Sequence, residues 1–181
     1  VSLHFHDFYE CYLLLSGNIR YQIESASFSV LPGDLLLIGP NQLHRPVFTH
    51  SNEPYERIVL WLSRSFVERL SSEQTDLSAC FSARHAGATR LSSEQNTRLT
   101  RLLFRLLNAT NANQFGRDVL CRSLTAELLV SLNLVSGAEQ SLPRGDVQES
   151  ALVQAVSRYL DAHIGQPVSL NDLSAAVFLS K

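Results

Sequence analysis

The stretch HFHDFYECYLLLSG, residues 4–17, indicates the fold of this chain most directly. Its apolar run at residues 12–15 ends in a glycine turn, and further short apolar runs follow at residues 19–23, 28–31, 35–38 and 58–62. Short runs of this kind, separated by turn residues, are typical of the strands of a sandwich or small barrel. We therefore predict β structure over residues 1–62. Because the first strand lies at the very start, we expect part of the barrel to precede Val1.

The same stretch carries a cluster of candidate ligand residues. His4 and His6 share one side of a strand, because side chains alternate along it, and Glu10 follows after a short turn. His44 lies far along the chain, on a later strand. Imidazole and carboxylate groups that converge in a barrel suit a divalent transition metal such as Zn, Ni, Fe or Mn. The four residues could instead line a pocket that hydrogen-bonds a ligand, and the sequence leaves both hypotheses open.

Strand alternation predicts the side chains on each face of the first strand. If Glu10 points into the barrel, Tyr12 does so too, and Cys11 and Leu13 point outward. Tyr12 is therefore a further candidate for contact with a bound effector. We expect Trp61, the only tryptophan, to be buried in the last strand and packed against the helices that follow.

Residues 91–136 predict two helices with a polar break at 108–116. Ser92 and Gln95 are spaced as a capping box ahead of a leucine stripe, and a short connection makes the helices antiparallel. The two helices have more apolar residues than they need to cover one face of the barrel. This surplus is either a dimer surface or an intrachain lid on the barrel. Residues 137–149 are rich in Gly, Pro, Ser and charge and predict a linker.

The composition excludes several classes of protein. Of 181 residues, 45% are apolar and 18% charged, which is typical of a folded, soluble chain. The net charge of −2 gives no general attraction to nucleic acid or anionic lipid, and no run approaches the about 20 apolar residues of a membrane-spanning helix. The three cysteines do not have the spacing of a disulfide framework, which favours a location in the reducing cytoplasm. We expect no membrane partner and a cytoplasmic location.

Two motifs resemble known families. His4, His6, Glu10 and Gly17 match the first cupin motif, H-x-H-x3-E-x6-G, while the second motif keeps His44 but departs from the pattern at residues 39–41. This resemblance implies a double-stranded β-helix in which His4, His6, Glu10 and His44 hold a metal. The segment PVSLNDLSAAVFLS, residues 167–180, resembles the first helix-turn-helix of AraC/XylS-family regulators, and residues 4–17 and 31–46 resemble their effector-binding cupin domain.

The AraC/XylS resemblance implies a mixed β-then-α architecture. Its parts are a cupin-like β-barrel with its connecting segment over 1–90, an antiparallel dimerisation hairpin over 91–136, a linker over 137–149, and the start of a helix-turn-helix domain over 150–181. In this domain Ser169 caps a helix with Asp172 three residues on, and Ser180 and Lys181 are the candidate DNA-contacting residues. Because the recognition helix would only begin there, we expect this sequence alone not to bind operator DNA, which would be bound through a complete carboxyl-terminal domain.

The predicted function is ligand-responsive transcription regulation in a bacterium. A small molecule, by resemblance a sugar, would bind in the barrel to His4, His6, Glu10, Tyr12 and His44, and a homodimer would form through residues 91–136. No catalytic residue is predicted, and the chain is not expected to be an enzyme. The alternative is a metal-dependent cupin enzyme, an oxygenase or isomerase, which explains the histidines but not residues 169–180.

Overall fold

The part of the chain that the structure describes contains eight strands in two sheets. The computed structural model describes residues 2–48, 54–82, 87–136, 142, 145–146, 156, 159–160 and 162–176. One sheet has the strand order β6-β1-β4-β7 and the other the order β5-β2-β3-β8. The strands are β1 (Phe8–Ser16), β2 (Ile19–Ile23), β3 (Ala26–Val30), β4 (Asp34–Ile38), β5 (His44–Val47), β6 (Glu56–Ser63), β7 (Gly87–Arg90) and β8 (Gly145–Asp146). β1 pairs antiparallel with both β4 and β6, and β2 pairs antiparallel with both β3 and β5.

The two faces of β1 belong to different hydrophobic cores, as predicted. Tyr12 and Leu14 pack into the core that also contains the buried side chains of β2 and β3. Cys11 and Leu13 point the other way, into a core shared with the helices. The central strands β1 and β4 therefore have apolar residues on both faces, which explains why residues 34–38 are buried without alternation.

The helices whose bounds the structure describes follow the early strands. They are α1 (Arg64–Leu70), the 3₁₀-helix Ala79–Phe81, α2 (Ser93–Asn111), α3 (Arg117–Ser136) and α4 (Leu170–Ala176). The capping box of α2 is confirmed: the Gln95 amide donates to Ser92 Oγ at 3.2 Å, and the Ser92 amide donates to Gln95 Oε1 at 2.8 Å. α2 continues to Asn111, so the polar break is shorter than predicted and covers residues 112–116. The predicted order of antiparallel sheets followed by helices is confirmed.

α3 has the length and composition of a membrane span, with a mean hydropathy of 1.4 over its most apolar window. Its apolar side chains have another explanation, however. Leu124, Leu128 and Leu132 are almost fully buried in the core that α3 shares with α2 and β1. Core helices of soluble proteins can have the same length and composition, and the burial of these leucines fits that class.

A buried carboxylate connects the barrel to the start of α2. Asp34, 2% exposed, accepts two hydrogen bonds from Arg90, from Nε to Oδ1 at 2.9 Å and from Nη2 to Oδ2 at 2.8 Å. The Leu31 amide donates a third to Oδ2 at 2.9 Å. Beside them, Asn96 Nδ2 on α2 donates to the Gly33 carbonyl at 3.1 Å. These bonds join β4, β7 and α2.

The described chain divides into two units, residues 1–145 and 146–181, and the division falls inside the predicted linker. In the second unit the cap of α4 is confirmed, because the Asp172 amide donates to Ser169 Oγ at 3.2 Å and the Ser169 amide donates to Asp172 Oδ2 at 2.9 Å. The predicted DNA-contacting residues Ser180 and Lys181 lie outside the described residues, as does most of the linker.

Candidate functional site

The candidate site forms where the segment before β1 meets the start of β5. His4 and His44 make an isolated antiparallel bridge, in which the His4 amide donates to the His44 carbonyl at 3.2 Å and the His44 amide to the His4 carbonyl at 2.9 Å. This pairing brings residues separated by forty positions together at one end of the barrel. Glu10, in the first half of β1, faces the same place.

Three of the four predicted metal ligands converge here. His6 Nε2 lies 3.1 Å from Glu10 Oε2, and the rings of His6 and His44 have their centroids 4.7 Å apart. One ligand atom from each of His6, Glu10 and His44 lies within 4.8 Å of the others. Glu10 and His44 are buried, at 6% and 0% exposure, and His6 is half-buried.

The histidine tautomers follow from the backbone. His6 Nδ1 contacts the Phe8 carbonyl at 3.0 Å, and His44 Nδ1 contacts the Gln42 carbonyl at 2.8 Å. A carbonyl oxygen only accepts, so Nδ1 carries the hydrogen in both rings. In a neutral His44 ring Nε2 then has a free lone pair that points into the cluster, whereas His6 Nε2 lies against Glu10 Oε2.

His44 Nε2 has no hydrogen-bond partner in the described part of the chain, although it is fully buried. Burial also lowers the pKa of His44 below its ordinary value, so the ring is neutral near pH 7. A buried polar atom without a partner is costly, because it has lost its hydrogen bond to water. The site therefore provides a preformed acceptor for a cation or for a hydrogen-bond donor of a ligand.

His4, the fourth predicted ligand, lies beside this group but is not part of it. Its ring centroid is 4.4 Å from that of His44 and 6.5 Å from that of His6, and its side chain is exposed. His4 Nδ1 donates to the Ser2 carbonyl at 2.9 Å.

Trp61 corrects one sequence prediction. The ring is not buried against the helices but 65% exposed, and its Nε1–H donates to Glu10 Oε2 at 2.9 Å. In the β1–β6 register Trp61 lies opposite Glu10, and its neighbour Leu62 takes the place in the helical core. The prediction failed because it assigned Trp61 to the wrong face of the strand. The position of Trp61 beside Glu10 could have been predicted only if the pairing of β1 with β6 had been known.

Tyr12, the remaining predicted effector contact, lies deeper in the barrel. Its hydroxyl is hydrogen-bonded to that of Tyr55 at 2.5 Å, and its ring packs edge-on against Tyr21 at 5.2 Å. The Tyr21 ring in turn is nearly parallel to that of His44, at 6.3 Å between centroids. The sequence reasoning missed Tyr21 and Tyr55, although Tyr21 occupies an alternating apolar position in β2 that could have indicated its inward orientation.

The described residues define a β-barrel domain with a polar, partly aromatic site at one end and a helical hairpin packed on one sheet. This is the architecture of a small-molecule-binding module. The chain belongs to the AraC-like ligand binding domain family, whose model matches residues 1–129.

Solved structures of AraC-family regulators have a similar fold. The AraC-like transcriptional activator CuxR is 13% identical with a TM-score of 0.50, and the match covers 97% of this chain and 58% of that protein. Wild-type ToxT from Vibrio cholerae strain SCE256, in a structure with a bound unsaturated fatty acid, is 13% identical with a TM-score of 0.51, covering 99% and 64%. The present chain thus spans about three fifths of the length of either. No curated protein sequence matches it.

Proposed function

We propose that this chain is the effector-sensing part of a bacterial transcription regulator, and that its effector is a saccharide bound at the end of the barrel marked by Glu10, His44 and Trp61. The family and the fold support a ligand-responsive regulator. The observation that carries the ligand site is the juxtaposition of the buried, unpartnered His44 Nε2 with the carboxylate of Glu10.

The chemistry of this barrel end suits a sugar. An aromatic ring offers an apolar face to the C–H side of a pyranose or furanose, and carboxylate and imidazole acceptors bind hydroxyl groups. Trp61 presents an exposed ring whose indole N–H holds Glu10 beside it, and the His6 and His44 acceptors lie next to that carboxylate. A fatty acid, which is what the ToxT structure holds, would bury its chain against these polar groups at a cost in desolvation.

A thermal-shift panel tests the effector class. Sugars, sugar phosphates and one unsaturated fatty acid are added separately, and we expect at least one saccharide to raise the melting temperature in proportion to its occupancy. Glu10→Gln should remove the stabilisation, whereas the matched control Glu56→Gln, an exposed position on β6, should keep it. Stabilisation by the fatty acid alone would replace the sugar hypothesis with a lipid effector.

We further propose that His6, Glu10 and His44 bind a divalent transition metal, Zn, Ni, Fe or Mn. The residues fit this role chemically, because each histidine has Nδ1 held by a backbone carbonyl, while His44 Nε2 has no partner among the described residues and His6 Nε2 lies 3.1 Å from Glu10 Oε2. Ligand atoms of a tetrahedral site lie about 3.4 Å apart for bonds of about 2.1 Å, so the cluster, within 4.8 Å, closes only slightly on binding. A bound metal would polarise hydroxyl or carboxylate groups of the effector.

Elemental analysis of protein purified without a metal-affinity column tests this site. We expect near-stoichiometric metal that is lost in His44→Ala. His163→Ala, a histidine in the second unit, is the matched control and should retain it. His4→Ala separates a three-ligand from a four-ligand site. Absence of metal would leave the three residues as hydrogen-bonding groups of the effector pocket.

The same cluster keeps a metal-dependent oxygenase or isomerase as the second candidate function. A metal with open coordination positions could serve a substrate, since three protein ligands converge among the described residues. Turnover of a substrate that requires the added metal would favour this candidate. The family match to regulators favours the sensing role.

The regulator we propose acts in the cytoplasm as a homodimer joined through residues 91–136. The support is an exposed apolar set on the helices, formed by Phe104, Leu107, Val130 and Leu134. Operator DNA would be bound by the complete carboxyl-terminal domain, including Ser180 and Lys181. Effector binding would change the arrangement of the dimerisation helices and the DNA-binding domains. Light scattering should show a dimer that Leu134→Glu dissociates, while Glu56→Gln leaves it intact.

A further inference from the structure

A row of arginines lines a large groove on the helical hairpin, away from the barrel site. Arg98, Arg101 and Arg105 follow one another at spacings of three and four residues on α2, so they share one face of the helix. They line a groove of about 650 Å³ together with Ser93, Glu94, Thr97, Leu102 and, from α3, Glu127. The volume lies within the range of about 300 to 1,000 Å³ that small-molecule sites occupy.

The groove contains three arginines and two glutamates, and most of these arginines have no ion-pair partner in the described ranges. Only Arg105 has an ion pair, a long one of 3.9 Å to Glu127 in which both side chains are about half exposed. Arg98 and Arg101 form no ion pair or hydrogen bond in the part of the chain that the structure describes. Arg98 does not pair with Glu94, although their spacing of four residues would allow it.

The arrangement opposes the stability of the helix. Arg101 has an arginine three residues before it and another four residues after it, and like charges at these spacings destabilise a helix by a few tenths of a kcal/mol each. An anion placed between the guanidinium groups would reverse the sign of this interaction. Guanidinium groups bind phosphate through two parallel hydrogen bonds, and the row from Arg98 to Arg105 rises about 10 Å along the helix. This length accommodates a chain of two or three phosphoryl groups.

We propose that this groove binds an organic di- or triphosphate. The arginines would hold the phosphoryl groups, and Glu127 would accept a hydrogen bond from the uncharged remainder, such as a sugar or base. A nucleic-acid strand fits less well, because the arginine row extends only about 10 Å and the chain has a net charge of −2. The site is separate from the barrel end but adjoins the proposed dimer surface, because Glu127 shares a face of α3 with Val130 and Leu134. The regulator we propose would therefore receive a second chemical signal beside its dimer contact.

Isothermal titration with sodium tripolyphosphate, in low-salt buffer without magnesium, tests the proposal. We expect saturable one-to-one binding that Arg98→Ala and Arg101→Ala each weaken about tenfold or more, since each removes a charge-assisted contact. Arg20→Ala, an exposed arginine on β2, is the matched control and should leave the affinity unchanged. Arg98 and Arg101 are both exposed, and equal melting temperatures of the variants would show that they fold alike.

Two further titrations test whether the groove accepts an organic phosphate and whether it is independent of the barrel site. A nucleoside triphosphate that binds at least as tightly as tripolyphosphate supports an organic phosphate, and one that is excluded overturns that assignment. Glu10→Gln, which alters only the barrel site, should keep the tripolyphosphate affinity. No saturable binding, or equal weakening by Arg20→Ala and Arg101→Ala, would overturn the groove as a phosphate site and leave the arginines as a solvated helix face.

Discussion

Removing the exposed partner of the Asp34–Arg90 pair should destabilise the chain more than removing the buried one. In Asp34→Ala, Arg90 returns to water because its side chain is already 51% exposed, and the main loss is the hydrogen bond of the Leu31 amide. Counting about 1 kcal/mol for this bond and about 0.5 to 1 kcal/mol for each discounted arginine bond gives about 2 to 3 kcal/mol. At about 2 to 4 °C per kcal/mol for a chain of this size, the melting temperature falls by about 4 to 12 °C.

Arg90→Ala leaves a carboxylate that is 2% exposed with one amide as its only partner. An uncompensated buried charge costs about 3 to 5 kcal/mol, so this variant should be the less stable of the two. The double variant should resemble Asp34→Ala alone, because the stranded charge is then absent. Urea denaturation followed by circular dichroism measures all three.

A matched control comes from a second ion pair. Arg64 Nε lies 3.0 Å from Asp7 Oδ1, but both side chains are more than half exposed, and Arg64→Ala should cost less than about 1 kcal/mol. If Arg90→Ala costs no more than Arg64→Ala, burial of Asp34 does not set the energy of its pair, and the reasoning above is wrong.

Two predictions follow from buried titratable groups. Half-buried Cys121 should react fast with Ellman's reagent, whereas Cys11 and Cys80 should react only as the chain unfolds. Burial raises the thiol pKa of Cys11 and that of Cys80, the latter to about 12. Fast reaction of all three cysteines would contradict the packing of the helical core. Burial also raises the pKa values of Tyr12 and Tyr21 above the usual value of 10, so the folded chain keeps protons that the unfolded chain releases. The free energy of unfolding should therefore fall as the pH rises above about 10, by up to about 1.4 kcal/mol per pH unit for each ring. Tyr21→Phe should reduce this slope. Urea titrations across that pH range that give the same slope for the wild type and Tyr21→Phe would refute the raised pKa of Tyr21.

Local signals in the sequence predicted the fold well where one element suffices. Alternation along residues 8–16 placed Tyr12 and Cys11 in different cores, and the capping boxes at Ser92 and Ser169 marked the starts of α2 and α4. The short strand β7 was not predicted, because its four residues carry little periodic signal and it is held by its pairing with β4.

The candidate site was predicted less completely, because it depends on pairing between distant strands. Spacing along the sequence suggested His6, Glu10 and His44, and the structure brings them together. The same spacing gave no reason to separate His4, whose ring is exposed and whose Nδ1 is bonded to the Ser2 carbonyl. Trp61 reaches Glu10 only through the register between β1 and β6, which no local pattern in either strand determines.

Fluorescence of Trp61 tests the central claim most directly, because the only tryptophan of the chain is hydrogen-bonded to Glu10 at the proposed effector site. The protein is titrated with saccharides and sugar phosphates, and the emission spectrum is followed in the wild type and in Glu10→Gln. We predict that at least one saccharide changes the emission saturably and that Glu10→Gln removes the response without lowering the melting temperature. A wild-type protein that responds to none of these compounds, or a Glu10→Gln variant that responds equally, would contradict a saccharide-sensing site at this end of the barrel.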